Sequence, residues 1–273
     1  MISKINTLKF ALQIREESLK MVSRAKASHI GGSLSMADLL AVLYGRLLSV
    51  RPDQPDWPQR DRLILSKGHC CSALYATLAI KGFFPLTELE TYGQEGSRLM
   101  LHASHKVPGV ENSTGSLGHG LPFGCGKALA AKRKDESWRT FVLLSDGELN
   151  EGSNWEALLF APQHRLDNLV VIVDYNKIQS LGAVAAVLEL EPLAEKLRAF
   201  RWAVKEIDGH DHTAIRGTLA SLPFEKGKPS CIIAHTIKGK GVDFMENQLK
   251  WHYSSPDQEQ LKSALAQIQG SIF

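Results

Sequence analysis

The chain has 273 residues, 44% of them hydrophobic and 22% charged, with a formal net charge of +3. That composition supports a full hydrophobic core, and so small and dispersed a positive charge gives no footing for a nucleic-acid partner. No apolar run approaches the length of a membrane span, and the charged N-terminal stretch MISKINTLKFALQIREESLK lacks the apolar segment of a secretory signal.

Leu8 to Ala27 reads as an amphipathic helix, with Leu8, Ala11, Leu12, Leu19 and Val22 at helical spacing. SHIGGSLSMADLL follows. His29 stands there beside Gly31 and Gly32, where backbone can come close to a ligand. Ser35 is expected to cap the next helix, with Asp38 as a capping-box-like partner. After the Pro-rich loop RPDQPDWPQRD, Arg62 to Ser66 reads as a strand. Lys67-Gly68-His69 turns the chain into a helix running from about Cys71 to Lys81. The four cysteines, Cys70, Cys71, Cys125 and Cys231, form no CxxC pair. Free thiols in a reducing cytoplasm are the expectation.

Leu86 to Tyr92 suggests a short helix. The long irregular stretch RLMLHASHKVPGVENSTGSLGHGLPFGCG comes next, with His102 and His105. A loop of that length usually carries function, and its later glycines suit a backbone laid against a flat ligand. The segment from Gly120 is then helical. It matches no nucleotide signature. Leu121 stands where a Walker A loop needs Gly and Ala128 where it needs Ser or Thr, while Phe123 replaces the third Gly of a dinucleotide fingerprint.

Thr140 to Gly182 is the most informative stretch. TFVLL is a buried strand stopped at Ser145-Asp146-Gly147. Asn150 to Ala161 is a helix with Leu158, Leu159 and Ala161 on its apolar side. LVVIVDY is a second buried strand, closed by Asn176. Two such strands joined by a crossover helix are parallel neighbours. Asp146 and Asn176 then share the carboxyl edge of a sheet, where ligands bind. Singly, each is an ordinary turn residue. As a pair they form a carboxylate–amide set for a hard divalent cation that also takes phosphate oxygens, with Gly147 allowing close approach.

Further helices are expected over Leu188–Phe200, Thr213–Leu222 and Asp257–Gln269. Strands are expected at WAVKEIDGHD and PSCIIAHTIKGKG. About five strands alternating with helices indicate an α/β fold, a doubly wound, mostly parallel sheet with helices on both faces. His69, Asp146, Asn176, the segment Asp208 to Asp211, and Lys238 all fall at strand carboxyl ends. One shared site is expected there.

Five segments, SHIGGSLSMADLL, LSKGH, PGVENSTGSLGHGL, SDGELNEGSNWEA with DYNKI, and HTIKGKGV with its later WH, stand in the order found in one family. Over nearly its whole length the chain resembles the amino-terminal, diphosphate-binding part of transketolases. The resemblance implies the thiamine diphosphate-binding fold, with residues 1–273 as a single domain of the diphosphate-binding type. It implies thiamine diphosphate with Mg²⁺ (or Ca²⁺), the metal held by Asp146, Asn176 and the carbonyl of Ile178. Gly147, His69, Asn176 and Lys238 would contact the diphosphate region, and Gly115, Ser116 and Leu117 the thiazolium and pyrimidine side. His29, His102 and His252 would face the sugar, with His252 also beside the cofactor. Glu151, supported by Glu156, would join a carboxylate network reaching a partner subunit. The implied reaction moves a two-carbon ketol group from a ketose to an aldose, with pentose phosphates as the default sugars.

Three local departures stand out. Ser145 replaces the Gly that usually precedes Asp-Gly, HASHKV replaces a His-Pro loop, and WHY replaces Trp-His-Gly. The pyrimidine-binding and C-terminal domains of full-length members have no counterpart here. The expectation is therefore a split enzyme, completed by a carboxy-terminal subunit, in the form of a heterotetramer with two copies of each chain. Competing expectations are the α subunit of a 2-oxo acid dehydrogenase, a 1-deoxyxylulose phosphate synthase fragment, a non-catalytic cofactor-binding remnant, and a dehydrogenase of the dinucleotide-binding type. The DYNKIQSLG, SHIGG and LSKGH segments argue against the first, and the missing glycine fingerprint against the last.

Overall fold

A computed structural model describes residues 5–270. Helix α1 (Thr7–Ala25) opens it. The Asn6 side chain accepts a hydrogen bond from the Lys9 N–H at its start, and left-handed Lys26 ends it. Phe10, Ile14, Leu19 and Val22 are buried along one side, whereas Leu8, expected on that stripe, is exposed. The SHIGG segment is helical too. α2 (Ile30–Ser35) and α3 (Ala37–Val42) are both wholly buried and run into a π-turn over Leu43–Leu47. Ser35 therefore ends a helix instead of capping one. Its hydroxyl is 2.6 Å from the Asp174 carboxylate, and Asp38 pairs with Arg15 in place of a capping box.

The expected strands are all present. β1 (Arg62–Leu65) leads to α4 (Cys71–Lys81), and a 3₁₀ segment over Leu86–Thr91 precedes the irregular stretch and α5 (Gly120–Arg133). β2 (Thr140–Ser145) leads through a 3₁₀ turn at Gly147–Asn150 to α6 (Gly152–Gln163) and β3 (Leu169–Tyr175). In α6, Leu158 and Ala161 face the core but Leu159 is exposed. A two-residue-arm hairpin, β4 (Ile178–Gln179) and β5 (Gly182–Ala183), is followed by α7 (Val184–Val187) and α8 (Leu193–Ala199). β6 (Ala203–Asp208), α9 (His212–Ala220), β7 (Ser230–His235) and α10 (Gln258–Gly270) complete the order.

The five long strands form one parallel sheet in the order β1-β2-β3-β7-β6. Alternate residues serve two cores. Leu63, Leu65, Phe141, Leu143, Val170 and Ile172 pack with α1, α3, α4, α9 and α10. Ile64, Val142, Leu144, Val171, Val173 and Ile233 pack with α5, α6 and α8 on the other face. A sheet covered on both faces gives strands buried at every position and mostly apolar, which is what β2 and β3 show. Each fully buried Val, Leu or Ile contributes about 1.5–3 kcal/mol. All four cysteines are free and buried, and no helix among the described residues is long and apolar enough to cross a membrane.

Candidate active site

The carboxyl ends of β1, β2, β3 and β7 open into a cleft of about 220 Å³. β2 and β3 are neighbours in register, with Ser145 opposite Asp174, so Asp146 and Asn176 emerge side by side. Both are buried, at 1% and 5% exposure. Asp146 accepts hydrogen bonds from the Gly147 N–H at 2.7 Å and the Lys177 N–H at 2.5 Å. The Asn176 amide oxygen accepts from the Ile178 N–H at 3.1 Å. Burial, then the nearby charge of Asp174, pushes the Asp146 carboxyl up. Asp146 has no ion-pair partner among the described residues. A buried carboxylate with no direct ion pair and only the weaker attraction of Lys67 is costly, and a divalent cation would offset that. One carboxylate, one amide oxygen and the Ile178 carbonyl form a hard-oxygen set suited to Mg²⁺ or Ca²⁺ that leaves room for phosphate oxygens.

Gly147 is required by space. A Cβ there would lie 2.7 Å from Gln179 Cβ, so the turn after β2 and the 178–183 hairpin close against each other only through glycine. Gln179 and Ser180 of that hairpin line the cleft.

Lys238, after β7, lines the same cleft. Its ammonium donates to the Ile178 carbonyl at 3.0 Å and lies 3.2 Å from His252 Nδ1. Burial, reinforced by the charge of Lys67, pulls its pKa down. A lysine ammonium can only donate. Nδ1 of His252 therefore accepts, and the ring proton sits on Nε2.

His29, His69, His102 and His252 line the cleft together. The His29 ring centroid is 5.0 Å from those of His69 and His252 and 6.0 Å from that of His102. His29 holds a left-handed backbone, φ 73°, while its N–H bonds the His252 carbonyl at 2.9 Å. A non-glycine residue in that region stores strain, the kind of device found where a side chain must be aimed. Burial, then the neighbouring His102 and lysine charges, lowers His29 to about 4. Burial, then Lys238, lowers His252 to about 3. Burial and Lys67 depress His69 well below the ordinary histidine value. These three rings are neutral at pH 7.

The sequence left His102 and His105 undecided. His102 lines the cleft, and His105 is exposed, its Nδ1 2.7 Å from the Ser113 hydroxyl. Gly115 and Leu117 line the cleft as expected. Ser116 and Glu151 are exposed and lie outside its lining. The segment Asp208 to Asp211, expected at the shared edge, also lies outside it, at the end of β6 on the far side of β7. Tyr253, the departure from Trp-His-Gly, packs its ring 4.9 Å from that of His252 and donates its hydroxyl to the Ser180 carbonyl at 3.0 Å.

Sequence reasoning missed a buried ion pair at the cleft. Lys67 pairs with Asp174, their side chains 1% and 0% exposed. Asp174 also accepts from the Ser35 and Thr236 hydroxyls. Burial alone would neutralise both groups. The pairing outweighs it, raising Lys67 and lowering Asp174. The available signal was one acid inside the otherwise apolar LVVIVDY, since such a group must find a partner. Glu148 was missed as well. It is fully buried, bonded to the Ser66 hydroxyl at 2.5 Å and the Gly118 N–H at 3.0 Å, and burial raises its pKa.

Residues 7–269 match the family model described as transketolase, thiamine diphosphate binding domain. The chain is 43% identical over 258 residues to one of the subunits of an apulose-4-phosphate transketolase from Phocaeicola vulgatus, covering 94% of this chain and 92% of that one. It is 42% identical to the 6-deoxy-6-sulfo-D-fructose transketolase subunit of a Clostridium species, covering 94% of each. Among solved structures it is similar to transketolase from Leishmania mexicana, with TM-score 0.91, 31% identity and 97% of this chain covered. The same TM-score, 0.91, is reached with the Campylobacter jejuni enzyme at 33% identity, again over 97% of this chain. The chain spans only 41% and 43% of the lengths of those two solved proteins.

Proposed function

The chain belongs to the transketolase family, as its thiamine diphosphate-binding part, and on that premise we propose that it is the first of two subunits of a ketol-transferring enzyme. The observation that carries the reading is the meeting, in one cleft, of a buried carboxylate that makes no direct ion pair and a cluster of neutral histidines. The reaction moves a two-carbon ketol group from a ketose to an aldose. The partner is a carboxy-terminal subunit carrying the pyrimidine-binding domain, in an assembly with two copies of each chain. Two relatives that are themselves named as subunits match over nearly their full lengths, which supports that division. Those relatives are named for sugars carrying a 4-phosphate or a 6-sulfo group, so the donor here is a ketose with a terminal anion. Residues 1–273 act as one domain, in the cytoplasm, where the four buried thiols stay reduced.

Asp146, Asn176 and the Ile178 carbonyl hold Mg²⁺ (or Ca²⁺), and Lys238, His69 and Gly147 hold the diphosphate. Thiamine diphosphate, when bound, supplies the acidic thiazolium carbon and the electron sink needed to cleave the bond between C2 and C3 of a ketose. Gly115 and Leu117, which line the cleft, would lie along the thiazolium and pyrimidine side. His252 presents Nε2–H toward the sugar, because Lys238 occupies Nδ1. His29 and His102, with His29 uncharged at working pH, hold hydroxyls and accept or return protons at ring nitrogens. Glu151, exposed beside the cleft, reaches toward the partner. The test is ketol transfer by the purified chain with thiamine diphosphate and Mg²⁺, alone and with its partner. Turnover only in the mixture is expected. Robust turnover by the chain alone would overturn the two-subunit reading.

A further inference from the structure

His210 does not enter the cleft, yet it touches the segment that delivers Lys238. The Ile237 N–H donates to His210 Nε2 at 2.9 Å. An N–H can only donate, so Nε2 carries no proton and the ring proton is on Nδ1. Nδ1 lies 2.7 Å from the Asp38 carboxylate, which fixes that tautomer. Asp38 is itself held from two further directions, by the Arg15 guanidinium at 2.5 and 3.2 Å and by His212 Nε2 at 2.9 Å. Arg15 and Asp38 are 4% and 5% exposed. Burial would raise the Asp38 carboxyl, but the guanidinium and the two imidazoles hold it well below the ordinary range. The acceptor offered to Ile237 is thus locked by a buried ionic cluster joining α1, α3 and the turn after β6.

The turn after β7 is pinned on either side of Ile237. Thr236 N–H bonds the Tyr175 carbonyl at 3.2 Å, and Gly239 N–H bonds the Gly31 carbonyl at 2.9 Å. Between them, the bond from Ile237 to His210 is the one made to a side chain, and the next residue is Lys238. We propose that His210 is a positioning residue for Lys238, its proton-free Nε2 setting the backbone that carries the ammonium to the diphosphate end of the cleft. This rests on the functional reading above. It also gives a role to the DGHD segment, which the sequence had placed in the site itself.

The test separates the two ring nitrogens. The amide of Asn reaches the place of Nδ1, and the amide oxygen of Gln the place of Nε2. Thiamine diphosphate with Mg²⁺ is titrated calorimetrically into the full chain assembled with its partner subunit. H210Q should stay within about threefold of wild type, whereas H210N should bind about tenfold more weakly or worse, for loss of one backbone hydrogen bond. In a Lys238→Ala background the H210N loss should vanish, since the two changes act through one group. Equal losses in the Asn and Gln variants, or additive losses in the H210N/K238A cycle, would overturn the proposal while leaving the functional reading intact. If H210Q fails to fold, the cycle decides. A wild-type assembly of the chain with its partner that takes up no thiamine diphosphate removes the functional reading and this inference together.

Discussion

Asp174→Asn probes the buried ion pair at the cleft. The substitution keeps the shape and an acceptor for Ser35 or Thr236, but leaves the Lys67 ammonium, 1% exposed, without its partner. Breaking one side of a buried ion pair costs about 3–5 kcal/mol, which for a chain of this size lowers the melting temperature by roughly 6–20 °C. The pH dependence sharpens the test. In the wild type, Asp174 is depressed and Lys67 raised. The Asp174 contribution is present above its unfolded value of about 3.9 and lost as pH falls through its folded value. The Lys67 contribution is present below about 10.4 and lost only as pH rises through its still higher folded value. Between pH 6 and 9 both are fully present, and the pair adds no slope. In the variant, Lys67 keeps only the weaker attractions of Cys70 and Asp146 against burial and the repulsion of Lys238, and its folded pKa drops below the unfolded one. The unfolded chain then binds more protons, and stability rises with pH by up to about 1.4 kcal/mol per unit. Melting curves from pH 6 to 9.5 should show the deficit of D174N narrowing, and Lys67→Met in the same chain should restore most of the loss. A variant melting within about 2 °C of wild type, or a deficit constant with pH, would refute the reasoning.

Asp146→Ala should abolish Mg²⁺-dependent binding of thiamine diphosphate by the assembled enzyme in calorimetry; normal affinity would show that the metal lies elsewhere. His252→Ala should lower kcat about 100-fold or more while leaving cofactor affinity within a few-fold, as expected for a residue that handles protons of the substrate. Loss of folding in that variant would assign the ring a structural part instead. His29 and His252, lowered to about 4 and about 3, should stay neutral in ¹⁵N-histidine spectra down to pH 5.5. A midpoint near 6.5 for either would contradict the burial argument.

The strands were legible because a sheet covered on both faces leaves an unbroken apolar signature, and TFVLL and LVVIVDY show it. Asp146 and Asn176 were legible because each ends such a run. Helix α2 was not, since Gly31-Gly32 and Ser33 read as loop and only burial among α4 and the turn 238–252 makes them helical. The pair Lys67 and Asp174 lies 107 residues apart in sequence, and no local pattern announces a contact of that range. Leu159 shows the reverse error, an apolar residue at plausible helical spacing that faces outward. Asp208 to Asp211 were placed by strand-end logic that holds for β1, β2, β3 and β7 and fails for β6, which lies beyond β7 from the cleft.

The four histidines come from four separate places along the chain, while the oxygen set and Lys238 come from beyond the middle. A nick in the irregular segment just before α5 would leave His29, His69 and His102 on one piece, and Asp146, Asn176, Lys238 and His252 on the other. Neither fragment would hold the whole cleft, so ligand bound across both would favour their reassociation in proportion to its concentration. The enzyme can be divided between its subunits, but the cleft itself has no seam along which this chain could be parted and still bind.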